Sequence, residues 1–142
     1  MATIITIADA IVGELNTASF GVPLTAERVY VPRFDLESAA GLRVQVAPRG
    51  LEIGQATRGG AQHDYQADIG IQQKFKTGEP IELDPLMDLV EAVADHFRTA
   101  KLPVDPPAVC IKVENGPVYA QGHMREARLF TSIVGLTYRV WR

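Results

Sequence analysis

Residues 62–76 read QHDYQADIGIQQKFK, and this stretch decides the fold because polar and apolar side chains alternate along it. Such alternation predicts a β-strand, since successive side chains of a strand point to opposite faces. The apolar face holds Tyr65, Ala67, Ile69, Ile71 and Phe75. The polar face holds Asp64, Gln66, Asp68, Gln72 and Lys74. One buried face and one wet face are typical of an antiparallel sheet and argue against an all-parallel enzyme sheet.

Weaker patterns flank this strand on both sides. Period-two alternation predicts further strands at 27–31, 42–47, 51–56, 109–113 and 129–141. Apolar residues at three- and four-residue spacing predict a helix over 4–15. A second helix is predicted from the N-cap Asp84 and the following Pro85 to about Thr99. The order of elements predicts an α+β fold, a mainly antiparallel β-sheet with two α-helices packed on one face.

Length and composition limit the class of protein. The 142 residues predict a single domain over 1–142, and 46% hydrophobic with 22% charged residues excludes a disordered chain or a coiled coil. A net charge of -3 disfavours general nucleic-acid binding, which depends on neutralising phosphates. No apolar run approaches the roughly 20 residues of a membrane span, and the first residues lack a signal-peptide pattern, so the expected compartment is the cytoplasm.

Candidate catalytic and metal-binding residues are few. His63, His96 and His123 show no metal-ligand spacing, and His96 near the end of the second helix suits a structural role. His63 and Asp64 are strand neighbours and are expected to point to opposite faces, which argues against an acid–base pair. Cys110 cannot form an internal disulfide, and we expect its side chain to face away from Val109 and Ile111. No metal or cofactor is predicted.

Two features indicate contacts with other proteins. The segment 47–62 predicts a projecting hairpin or loop carrying Arg49 and Arg58, either a contact arm or a plain solvated connection. The sheet face opposite the helices carries large apolar residues, Ile133 and Trp141, as well as polar ones, and such an uncovered face invites subunit contact. The contact candidates are Arg49, Arg58, Asp64, Asp68 and Lys74.

The chain resembles the tail terminator and tail-completion (head–tail joining) proteins of long-tailed bacteriophages. The segments that carry the resemblance are IADAI at 7–11, VYVP at 29–32, DPLMDLV at 84–90 and LFTSIVGLTY at 129–138. The resemblance implies a structural protein without catalytic residues. It also implies a homo-oligomeric ring, commonly a hexamer, that sits on the head-proximal end of the tail tube.

The same resemblance implies the partners and the location. The ring ends tube polymerisation and joins the tail to the head connector, so the expected partners are further copies of the chain, the tail tube protein and the connector protein. DNA only passes through the lumen, and no membrane is involved. The expected location is the tail or neck of a virion that is assembled in the host cytoplasm.

Three other functions remain open at this stage. The first is another neck or head-completion protein. The second is a small metal-independent enzyme with a site near Tyr119, His123 and Glu126, in the polar segment before the last strand. The third is a general protein-binding adaptor.

Overall fold

The computed structural model describes residues 2–30, 41–57, 59–116 and 128–142, with backbone alone at 56 and 57. The described elements are α1 (Thr3–Thr17), β1 (Ala26–Arg28), β2 (Arg43–Thr57), β3 (Gly60–Lys74), α2 (Pro80–Thr99), β4 (Val109–Asn115) and β5 (Leu129–Trp141). The predicted α+β class is confirmed, with two helices and a mostly antiparallel sheet.

The five strands form one sheet in the order β1-β2-β3-β5-β4. The short strand β1 runs parallel to β2, and every other neighbouring pair is antiparallel. The strands β2 and β3 have 15 residues each, which corresponds to about 50 Å of extended chain. The sheet is therefore built around one long hairpin, with β5 paired along nearly the whole of β3.

Both helices pack on the apolar face of this sheet, as the amphipathic patterns predict. The residues that α1 buries are Ile7, Ala8, Ile11 and Leu15. The residues that α2 buries are Leu86, Leu89, Val90, Val93 and Phe97. The helices are also linked directly, because the His96 Nε2 atom lies 2.9 Å from the Glu14 Oε1 atom. This contact gives His96 the structural role expected from its position.

The predicted strands at 42–47 and 51–56 are one continuous strand, β2. A β-bulge joins them, since Pro48 pairs with Ala67, Gly50 pairs with Gln66, and Arg49 is the extra residue between them. Proline cannot donate a backbone hydrogen bond to the ladder and is tolerated at such bulges. The described residues of 47–62 therefore belong to the two paired strands of a hairpin and not to an irregular loop.

Two other boundaries differ from the prediction. The first strand is β1 at Ala26–Arg28, earlier than the predicted 27–31. The second helix begins at Pro80 with Glu79 as its N-cap, so Asp84 and Pro85 lie inside it. The Glu82 carboxylate accepts hydrogen bonds from the backbone N–H groups of Lys76 and Thr77 and fixes the turn ahead of the helix, which explains the early start.

Candidate interaction surface

The face of the sheet opposite the helices, here called the outer face, is formed by alternate residues of the paired strands. On β3 these are the even-numbered residues Gln62 to Gln72, the face that the sequence predicted to be polar. Their partners on β5 are Thr131, Ile133, Gly135, Thr137, Arg139 and Trp141. The predicted partition of the two faces of β3 is thus confirmed, including the opposite orientation of His63 and Asp64.

The most complete ion pair on the outer face joins Asp64 to Arg139. The guanidinium donates two hydrogen bonds to the carboxylate, at 2.9 and 3.2 Å. These bonds hold the pKa of Asp64 below its usual range. Arg139 also lies 5.9 Å from the centre of the Trp141 ring, which is 55% exposed. Asp64 is therefore engaged within its own chain, in a feature that the sequence did not reveal.

The second ion pair joins Asp68 to Arg49, two of the predicted contact residues. The Arg49 Nε atom lies 3.6 Å from the Asp68 Oδ1 atom. Both groups lie next to Gly135, where a Cβ would be 3.4 Å from Asp68 Oδ1, so the glycine leaves room for them. Despite this cation, burial raises the pKa of Asp68, and the nearby Glu114 carboxylate acts in the same direction. The pair is loose, because Oδ1 is buried without a hydrogen-bond partner.

The remaining predicted contact residues are spread out. Lys74 is exposed at the opposite end of β3 from the hairpin tip, so it lies apart from both ion pairs. Arg58 lies outside the described residues, as do Tyr119, His123 and Glu126 of the alternative enzyme site. The described part of the chain thus pairs Arg49 with Asp68 and Arg139 with Asp64, as two separate contacts.

One part of the outer face is closed, contrary to the expectation that the whole face is bare. Four polar residues there are buried, namely Gln45, Gln72, Thr131 and Thr137. Three of them, Gln45, Gln72 and Thr131, line a cavity of about 40 Å³ next to Gly70, which has room for a few water molecules only. Ligand pockets are roughly ten times larger, so this end of the face offers neither a docking surface nor a substrate site.

The exposed apolar residues instead lie toward the hairpin tip and along β4. Leu51 and Ile53 on β2 are 50% and 59% exposed, and Val109 and Ile111 on β4 are 59% and 42% exposed. The two segments lie on opposite edges of the sheet, since β1 pairs only with Val44–Val46 and leaves the rest of β2 without a neighbour among the described strands. Open edges with exposed aliphatic side chains are typical of surfaces that pair with another chain.

A bulge also interrupts β4. Cys110 pairs with Tyr138 and Lys112 pairs with Thr137, so Ile111 is the extra residue. Cys110 lies on the core side and faces away from Val109, as predicted, and the bulge places Val113 on the same side as Cys110. Burial raises the pKa of the Cys110 thiol, which keeps it protonated and unreactive at neutral pH.

The described residues hold no cluster suited to metal chemistry. No group of three or more His, Cys, Asp or Glu side chains is placed to bind a metal ion in these segments. The helices of the described segments are also too short or too polar to cross a bilayer. The feature with the clearest capacity for function is the pair of open sheet edges.

The chain matches no protein-family profile and no curated protein sequence. It is similar in structure to a chain in the virion of a native gene transfer agent particle, with a TM-score of 0.66 and 14% sequence identity. The match covers 100% of both chains. At this identity the likeness shows that the two chains share a fold over their full length.

Proposed function

We propose that this protein is a structural component of a phage-like virion, where it forms a ring of identical copies on the head-proximal end of the tail tube. The ring ends tube polymerisation and joins the tail to the head connector. The observation that carries the proposal is the fold shared, from end to end, with a chain of a gene transfer agent virion. The segments that resemble phage tail terminators support the same assignment.

The geometry of the sheet is compatible with ring formation. A closed ring needs two different, complementary surfaces on every subunit, because each copy contacts its two neighbours through different patches. The exposed segment of β2 and the strand β4 supply two such surfaces on opposite edges. A hexamer is the ring size that the resemblance implies.

The charge of the chain suits a channel for DNA. A formal charge of -3 per subunit gives the ring no general attraction for phosphates, so DNA passes through the lumen without being held. The stable partners are then the tail tube protein below the ring and the connector protein above it.

Deletion of the gene in the organism that makes the particle tests this function. A missing terminator leaves the tube without a stop, so we expect tails of irregular length and heads without tails in negative-stain images. Reintroduction of the gene restores tails of uniform length. Tails of normal, uniform length in the deletion strain would contradict the proposal, and if the heads also lack tails the protein belongs to the head side of the neck.

A further inference from the structure

The two open edges of the sheet have opposite chain directions. Each antiparallel pairing reverses direction, and three of them separate β2 from β4 in the order β2-β3-β5-β4. The strands β2 and β4 therefore run antiparallel to each other within one subunit. Rotation about a ring axis does not change whether a strand runs up or down along that axis. In a ring whose strands are not perpendicular to the axis, β4 of the next copy therefore runs opposite to β2 and meets it as an antiparallel partner.

One register of this pairing matches the side chains on both faces. We propose that β2 of one copy pairs with β4 of the next copy so that Glu52 lies opposite Lys112. Both residues face the outer side of their sheets, because Glu52 pairs with Asp64 and Lys112 pairs with Thr137 within the subunit. The continued sheet would then place a carboxylate and an ammonium directly across from each other. The inference rests on the ring proposed above.

The same register also brings apolar side chains together. Antiparallel pairing that sets Glu52 against Lys112 also sets Leu51 against Val113 and Ile53 against Ile111, the extra residue of the β4 bulge. Leu51 and Val113 both pair with core residues of their own sheets, so their side chains lie on the same face. Three of these four aliphatic side chains are between 42% and 59% exposed in the isolated subunit, and the contact would bury them.

Electrostatics favours this partner for Glu52. Inside the subunit Glu52 lies across from Asp64, and like charges in that position destabilise a sheet. Arg139 is bound to Asp64, and none of the salt bridges among the described residues involves Glu52. Lys112 is 62% exposed, and its own contact to Glu114 is a surface pair of small value. A neighbouring copy would supply a cation opposite Glu52.

Two kinds of neighbouring register are disfavoured. A shift by one residue places the outer side of one strand against the core side of the other. A shift by two residues in one direction places Glu52 against Glu114, two like charges. In the proposed register Glu114 instead lies opposite Gly50, next to the Arg49 cation.

Disulfide trapping tests the contact directly. In a C110S background, the variant E52C/K112C places one cysteine on each of the two paired strands. Their Cα atoms would be about 4.5–5.5 Å apart, a distance that a disulfide spans. Oxidation should yield a ladder of covalent oligomers up to a closed ring on a non-reducing gel. The single variants E52C and K112C can give dimers at most. The pair E52C/E114C is a register control, since its Cα atoms would be about 7–8 Å apart and too far to bridge.

The experiment is carried out on purified protein and on particles from the deletion strain complemented with the variant. Particles capture a ring that closes only on the tail tube. A ladder supports the contact whatever the outcome of the deletion test. If uniform tails form but E52C/K112C gives nothing above dimers in either preparation, the proposed contact is wrong and the proposed function stands.

Charge reversal gives an independent readout of the same pair. E52K or K112E alone should raise the concentration for half-assembly about tenfold or more, measured by light scattering, because each places like charges together. The double variant E52K/K112E should restore assembly. A matched reversal at Lys76, which is exposed just after the end of β3 that lies opposite the hairpin tip, should leave assembly unchanged when made as K76E. Failure of the double variant to recover would overturn the pairing.

Discussion

Asp64 and Asp68 lie on the same face of β3, yet their pKa values shift in opposite directions. Two hydrogen bonds from Arg139 stabilise the ionised form of Asp64, whereas burial opposes ionisation of Asp68 more strongly than Arg49 favours it. The difference arises from the distance and geometry of each cation. A carboxylate that receives two short hydrogen bonds is stabilised far more than one facing a guanidinium at 3.6 Å.

Replacement of Asp64 tests its role in stability. The variant Asp64→Asn should unfold at lower urea concentration than the wild type at pH 7. The stabilisation is present above the unfolded-state carboxyl pKa of about 3.9 and is lost as the pH falls through the lower folded-state pKa. The gap between variant and wild type should therefore close in acid. A gap that persists unchanged at the lowest accessible pH would contradict the assignment.

Replacement of Asp68 should have the opposite effect. Its raised pKa makes ionisation unfavourable in the folded state, so this cost appears as the pH rises from about 3.9 through the folded-state pKa and is complete above it. The variant Asp68→Asn removes the cost and should be at least as stable as the wild type at pH 7 in urea titrations. Clear destabilisation at pH 7 would show that the Arg49 pair outweighs burial.

At the scale of the element, replacement of glycine by alanine should have opposite effects in a strand and in a turn. Gly70 lies in β3, and a Cβ there would meet its nearest atom, the Gln45 carbonyl oxygen, at 3.9 Å. Gly78, between β3 and α2, has a φ of +73°, and a Cβ would lie 3.2 Å from the Phe75 ring. Gly70→Ala should stabilise the protein by about 0.4–1 kcal/mol, and Gly78→Ala should destabilise it by about 1–2 kcal/mol. Thermal unfolding of the two variants side by side measures both shifts.

The elements also show where a sequence pattern suffices. The strand β3 was predicted almost completely because its alternation has a single break, at Gln73. In β2 the core-facing residues are even-numbered up to Pro48 and odd-numbered from Leu51, because Arg49 occupies a bulge. A period-two pattern cannot continue across an extra residue, which is why β2 was predicted as two strands.

Only part of the candidate surface could be predicted from the sequence. The polar face of β3 follows from the alternation within that strand alone. The partner of Asp64 could not be inferred, because Arg139 is 75 residues away and meets it only through the pairing of β3 with β5. The open edges depend on the strand order, which the sequence did not provide.

At the scale of the whole molecule, buried and exposed aliphatic residues of the same hairpin have separate roles. Ile69 on β3 is fully buried in the core under the helices. Ile69→Ala should lower the free energy of unfolding by about 2–5 kcal/mol, measured by urea denaturation at low protein concentration. A smaller loss would mean that the core relaxes into the cavity.

Replacement of Leu51 and Ile53 should impair assembly and leave the stability of the monomer almost unchanged, the opposite of the effect expected at Ile69. At least half of each side chain is already exposed, so the double variant L51T/I53T removes little buried area, and threonine keeps a high preference for strands. Its subunit should unfold within about 0.5 kcal/mol of the wild type per site at low concentration, where only monomers are present. At high concentration, light scattering should show that it no longer assembles, because the apolar side of the edge contact is gone. Destabilisation of the monomer by several kcal/mol would mean that these residues belong to the core of the subunit and not to a contact with a second copy.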